Sequence, residues 1–157
     1  MSPSARTSTS TAGSTSAANR ESVRALVDTG ALLALGRQKD QHHARAVDIA
    51  ERHLGVGGQF VGTTLILAEL HSHLLYLRGR REARVAVAAL LEDPVHEWHP
   101  VSPALEREAV TRWLARFSDQ DFSLIDAVSF EVMRRNRVTH AFAFDRHFVI
   151  AGFMLLT

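Results

Sequence analysis

Apolar residues come in short runs broken by charges, and the period of the pattern changes along the chain. "RALVD", residues 24–28, reads as a short buried strand that stops at an aspartate, and "TGALLALG" from Thr29 resumes as an apolar helix. "DQHHARAVDIAERHLG" continues or follows it, with Ala46, Ile49, Ala50 and His53 on one face and Gly55, Gly57 and Gly58 to end it. "QFVGT" is a second strand. Residues 64–80 predict a helix with Ile66, Leu70, Leu74 and Leu77 along one stripe, and "EARVAVAALLED" predicts another, stopped by Pro94. "VHEWHPV" alternates as a third strand. Ser102 as N-cap and Pro103 at the first turn open an amphipathic helix to Phe117, lined by Leu105, Ala109, Trp113 and Phe117. "SLIDAVSFEVMRRN" is one more helix, "HAFAFD" a strand ending in aspartate, and "FVIAGFMLLT" holds a last short strand.

Strands separated by helices of this length predict an α/β fold, a mostly parallel sheet with helices on both faces. In such sheets ligands bind outside the carboxyl ends of the strands.

Composition narrows the chemistry. The 157 residues predict one domain, residues 23–157, behind a tail. Residues 1–22 are mostly Ser, Thr, Ala and Gly, so they predict a disordered tail and lack the apolar stretch of a secretory leader. The apolar fraction of 46% supports a real core, and no run is long enough for a membrane span. With 18 basic and 17 acidic residues, bulk charge does not mark a nucleic-acid binder. Absence of cysteine excludes disulfide scaffolds, thiolate metal sites and cysteine nucleophiles, and fits a cytoplasmic setting. Lys39 is the sole lysine, in a polar "RQKDQHH" stretch, which argues against lysine-based phosphate or Schiff-base chemistry. No HExxH helix is present, and His42/His43 and His71/His73 are not spaced to share a helical face, so zinc is disfavoured.

Four carboxylates stand out because their neighbours are apolar. Asp28 and Asp145 each follow a strand-like run, and parallel strands would bring both to one edge of the sheet. Glu69 interrupts "LILAEL", and Asp126 sits in the first turn of "SLIDAVSF". Each has a local explanation: Asp28 as an N-cap, Asp126 in a Ser-x-x-Asp capping box, Glu69 as a surface partner of His73, and Asp145 as a turn residue. Four acids gathered in one pocket would instead need a shared cation, and with oxygen ligands alone that cation is Mg²⁺ or Mn²⁺.

"LVDTGALLAL", "TTLILAEL", "DQDFSLIDAVSFEVMRRNRV" and "AFAFDRHFVIAGF", in that order, resemble the successive motifs of PIN domains, most of all the ribonuclease toxins of VapBC toxin–antitoxin pairs. The resemblance spans about residues 24–153 and implies a three-layer α/β/α sandwich. It places the family's acids on Asp28, Glu69, Asp126 and Asp145, as metal ligands and catalytic residues. Thr29 matches the hydroxyl residue after the first aspartate, and Asp121 an acid before "SL-D"; both are expected to support the ligands.

The resemblance implies metal-dependent hydrolysis of RNA, leaving a 5′-phosphate and a 3′-hydroxyl. It also implies a cognate antitoxin that offers a basic side chain to the acids, and a homodimer, for which the helices at 64–77 and 82–92 are apolar enough. RNA contacts are sought in Arg134, Arg135, Arg146 and His147, with Arg78, Arg80 and Arg81 as a second group; basic residues at helix ends also suit the helix dipole. Trp98, Trp113 and Phe122 are assigned to core packing before base stacking. Two alternatives stand beside the toxin: an RNA-processing PIN nuclease without an antitoxin, and a catalytically silent receiver-like or scaffolding domain.

Overall fold

The computed structural model describes residues 23–157, so the tail expected over residues 1–22 lies outside the described residues. β1 (Arg24–Val27) leads into α1 (Thr29–Gly36) and α2 (His43–Gly55); β2 (Gln59–Thr63) leads into α3 (Thr64–Arg78) and α4 (Arg80–Glu92). β3 (His96–His99) is followed by α5 (Pro103–Ala109), a π-turn (Val110–Leu114) and α6 (Leu124–Arg135). β4 (His140–Phe142), α7 (His147–Ile150) and β5 (Met154–Leu155) close the chain.

All strands pair in parallel in the order β3-β2-β1-β4-β5. The chain moves outward from β1 to β3, then returns to β4 on the other side of β1. Right-handed crossovers therefore put α1–α4 on one face and α5–α6 on the other. The direction reverses between β1 and β4, and at such a switch point a crevice opens beyond the carboxyl ends of the strands. The expected α/β/α architecture is present.

The inner strands are apolar on both sides because both faces are covered: Ala25, Leu26 and Val27 have no exposed surface. α6 is the central helix of its layer, buried from Ala127 through Met133. Its one buried acid, Glu131, accepts hydrogen bonds from Trp113 Nε1 (3.2 Å), Arg134 Nε (3.1 Å) and Arg135 Nε (2.9 Å). Burial alone would raise the Glu131 pKa, but the bonds from Arg134, Arg135 and Trp113 outweigh it and hold the carboxyl down at about 2.

The helical stripes predicted from sequence hold with two corrections. Leu77 was expected on the buried face of α3 yet is 43% exposed. At that end the helix is closed onto α1 by Arg78 instead, whose Nη2 donates to the Gly36 carbonyl at 2.5 Å. The single helix expected over 102–117 ends at Ala109, and the chain continues as the π-turn, in which the Ala115 amide donates to Val110 O at 2.9 Å. The wider turn seats Trp113 against Phe130 and brings its indole N–H to Glu131. Trp98, Trp113 and Phe122 all pack inward, Trp98 over Gly62, where an added Cβ would lie 2.1 Å from the indole ring.

Candidate active site

Each of the four singled-out acids is placed by the local chemistry of a strand end or a helix start. Asp28 is held by the sheet, because its amide donates to Phe142 O of β4 at 3.0 Å. It also caps α1, with Oδ2 accepting from the Gly30 amide at 3.2 Å. Glu69 arrives on α3, which starts at the same edge with Thr63 as its cap, the hydroxyl accepting from the Ile66 amide at 3.3 Å. Asp126 completes the capping box expected from "SLID": the Ser123 hydroxyl accepts from the Asp126 amide at 3.0 Å, and Asp126 Oδ2 accepts from the Ser123 amide at 2.8 Å. Asp145 accepts from the His147 amide at 2.9 Å, which shapes the turn into α7.

These positions open on one cavity of about 330 Å³, lined by Asp28, Thr29, Glu69, Asp121, Asp126 and Asp145, together with His73, Ser123 and His147. The Thr29 hydroxyl donates to Glu69 Oε2 at 2.5 Å and joins α1 to α3. His147 Nδ1 lies 3.4 Å from Asp126 Oδ2 and 3.3 Å from Asp145 Oδ2, between the two carboxylates. Asp28 feels the assembly most. Burial pushes its pKa up to about 6, the charges of Asp126 and Glu69 push the same way, and the Gly30 amide opposes them.

The local explanations and the shared cavity are therefore both real: Asp28 and Asp126 cap their helices and also face the other acids. Among the described residues, no three Asp, Glu or His side chains stand in a geometry that holds a metal ion. The chemistry of the donor set nonetheless suits a hard divalent cation. It offers carboxylate oxygens without thiolates, and a positive charge would relieve the repulsion that Asp28 registers.

Of the expected RNA contacts, His147 lines the cavity, and Arg146 is exposed beside Asp145. Arg134 and Arg135 do not reach it; their guanidiniums bind the buried Glu131 and the carboxylate of Glu108. His73 was read only as a surface partner for Glu69, yet it forms part of the cavity wall. Its place one turn after Glu69 was the available signal.

Comparison with known proteins identifies the family and the fold. The PIN domain family model matches residues 25–153. A curated relative, the 23S rRNA-specific endonuclease VapC20 of Mycobacterium tuberculosis, known from strains H37Rv and CDC 1551, is 34% identical over 128 residues, 82% of this chain and 94% of that protein. The crystal structure of M. tuberculosis VapC20, described as a Sarcin-Ricin loop cleaving toxin, superposes with a TM-score of 0.70 at 32% identity, covering 82% of this chain and 95% of the other.

Proposed function

The chain belongs to the PIN domain family, and from that premise we propose that it is the endoribonuclease toxin of a type II toxin–antitoxin pair, acting on ribosomal RNA at or near the sarcin–ricin loop. The observation that carries the catalytic assignment is the single cavity into which four sequence-distant elements deliver Asp28, Glu69, Asp126 and Asp145. These four would hold Mg²⁺ or Mn²⁺. The ion, when bound, would supply Lewis acidity toward a phosphodiester and an attacking water.

The remaining groups keep that donor set in order. Thr29 fixes one Glu69 oxygen by donating to it. The capping box fixes Asp126, with the Ser123 hydroxyl also 2.8 Å from Asp126 Oδ2. Asp121 closes the same wall in a supporting role. His147 and Arg146, at the Asp145 rim, are proposed to meet the RNA strand as it enters. Hydrolysis of this kind leaves a 5′-phosphate and a 3′-hydroxyl and needs no covalent nucleophile.

A cavity lined by five carboxylates also suits a basic side chain, which is how we propose a cognate antitoxin silences it. Exposed Leu75, Leu77 and Leu91 on α3 and α4 support a homodimer through those helices. No helix among the described residues is long and apolar enough to cross a membrane.

The deciding experiment is incubation with intact 23S rRNA and mapping of the new 5′ ends by primer extension. The proposal expects a discrete cut in the sarcin–ricin region, lost in folded Asp28→Asn. A chain that leaves the RNA whole with every divalent ion tried, or a variant that cuts like wild type, overturns it.

A further inference from the structure

The two ends of α1 carry opposite chemistry. At its start lie Asp28 and the acid cavity; at its end, Arg37, Lys39 and Arg78 line a recess beside Gly36 and Gln38 that contains no carboxylate. Arg81 shares the adjoining hollow with Arg78 and with one acid, Glu82. Sequence spacing hides this cluster, because the loop after α1 and the α3–α4 turn are brought together across distant positions, where Arg78 bonds to the Gly36 carbonyl.

Elsewhere some cations are neutralised within the chain. Arg52 pairs with Asp48, Arg24 with Glu97, and Arg112, Arg134 and Arg135 with Glu108 and Glu131. Among the described residues, Arg37, Lys39 and Arg81 make no such pair, and Arg78 meets only Glu82, at 3.7 Å. Asp40, next to Lys39, is turned to the His42 amide at 2.9 Å. Other arginines among the described residues, such as Arg45 and Arg84, are unpaired too; what sets this group apart is that two segments distant in sequence bring it to one place.

The ion-holding cavity would engage only the phosphodiester that is cut, and its carboxylates repel the flanking phosphates. The strand beyond that phosphodiester needs cations outside the cavity. The eight residues of α1 span about 12 Å, close to the rise of three to four stacked nucleotides at about 3.4 Å each. We infer that Arg37, Lys39, Arg78 and Arg81 form a phosphate clamp that holds the RNA backbone three to four nucleotides from the cut. The inference rests on the ribonuclease reading and adds where the substrate is held.

The test uses a fluorescein-labelled sarcin–ricin hairpin RNA in EDTA, so that anisotropy reports binding apart from cleavage. Arg78 is left in place because it caps α1; the variant is Arg37→Ala/Lys39→Ala/Arg81→Ala, with Arg52→Ala as control. The triple variant should bind at least about tenfold more weakly in 0.1 M salt, with a log–log salt slope shallower by about 2 to 3, while the control matches wild type. Since Lys39 is the sole lysine, RNA should also protect it from amine acylation, read by mass spectrometry on wild type.

Wild type that binds and cuts the hairpin, with unchanged affinity in the triple variant and an unprotected Lys39, overturns the clamp alone. Loss of antitoxin binding with intact RNA binding assigns the patch to the protein partner and likewise overturns it. Wild type that neither binds nor cuts takes down the ribonuclease reading together with the clamp.

Discussion

The Thr29 hydroxyl donates to the Glu69 carboxylate at 2.5 Å, so the residue that follows the strand-end aspartate orients an acid forty positions later. Neither α1 nor α3 needs this bond to form, since Asp28 and Thr63 cap them. Its consequence is placement of a site residue.

Removing that bond should therefore hurt catalysis more than folding. Thr29→Val is expected to slow RNA cleavage about tenfold and to lower stability by only about 1 kcal/mol, while Thr29→Ser keeps most activity. Single-turnover rates beside urea unfolding curves would separate the two effects.

Asp28 should give the metal-free protein a distinctive pH dependence. Its pKa is about 6 in the fold against 3.8 when free, so between these values the native state holds more protons than the unfolded chain. Stability then falls as pH rises through that window, by up to about 3 kcal/mol. Asn still caps the helix. In EDTA, Asp28→Asn should thus gain on wild type steadily from about pH 4 to pH 7. A constant difference between the two urea midpoints across that range would count against the buried carboxylate.

Glu131 has the opposite sign and a different purpose. Its pKa lies at about 2 rather than 4.5, so it stabilises the fold above the higher value and that contribution is lost as pH falls toward the lower one. Glu131→Gln leaves Arg134 and Arg135 without their buried partner and should cost about 3 kcal/mol. Cleavage per folded molecule should be unchanged, because Glu131 does not line the acid cavity. Denaturant midpoints together with rates under native conditions test both halves.

Gly62 should tolerate no side chain. A Cβ there would sit 2.1 Å from the Trp98 ring, which is held by its own bond to Leu90 O at 2.8 Å. Gly62→Ala is expected to lose at least about 2 kcal/mol unless Trp98 is also truncated. A double-mutant cycle with Trp98→Leu, read as thermal midpoints, would show the coupling.

Much of this was legible in the chain. The strand before Asp28, the cap at Ser102 and the Ser123–Asp126 box follow from residue type at fixed spacing and appear in the structure, whereas the strand expected to run to Asp145 stops at Phe142 and leaves Asp145 in the turn into α7. What could not be read depends on contacts between distant segments. The π-turn accompanies the bond from Trp113 to Glu131 on another helix, and the row through Ile66, Leu70 and Leu74 ends on Arg78, bonded to Gly36, while Leu77 is exposed. Arg134 and Arg135 look like an RNA-binding pair until Glu108 and Glu131 are seen beneath them. The basic recess is the converse case, assembled from two loops that look unrelated in sequence.

The central claim is that Asp28, Glu69, Asp126 and Asp145 act as one cation-dependent site. Its most direct test is the initial rate of sarcin–ricin hairpin cleavage across a Mg²⁺ titration, for wild type and Asp28→Asn at matched folded concentration. The account predicts a saturable Mg²⁺ dependence in wild type, no cleavage in EDTA, and a rate at least about a hundredfold lower in the variant at saturating metal. Cleavage that persists in EDTA, or equal rates for the two proteins, would contradict it.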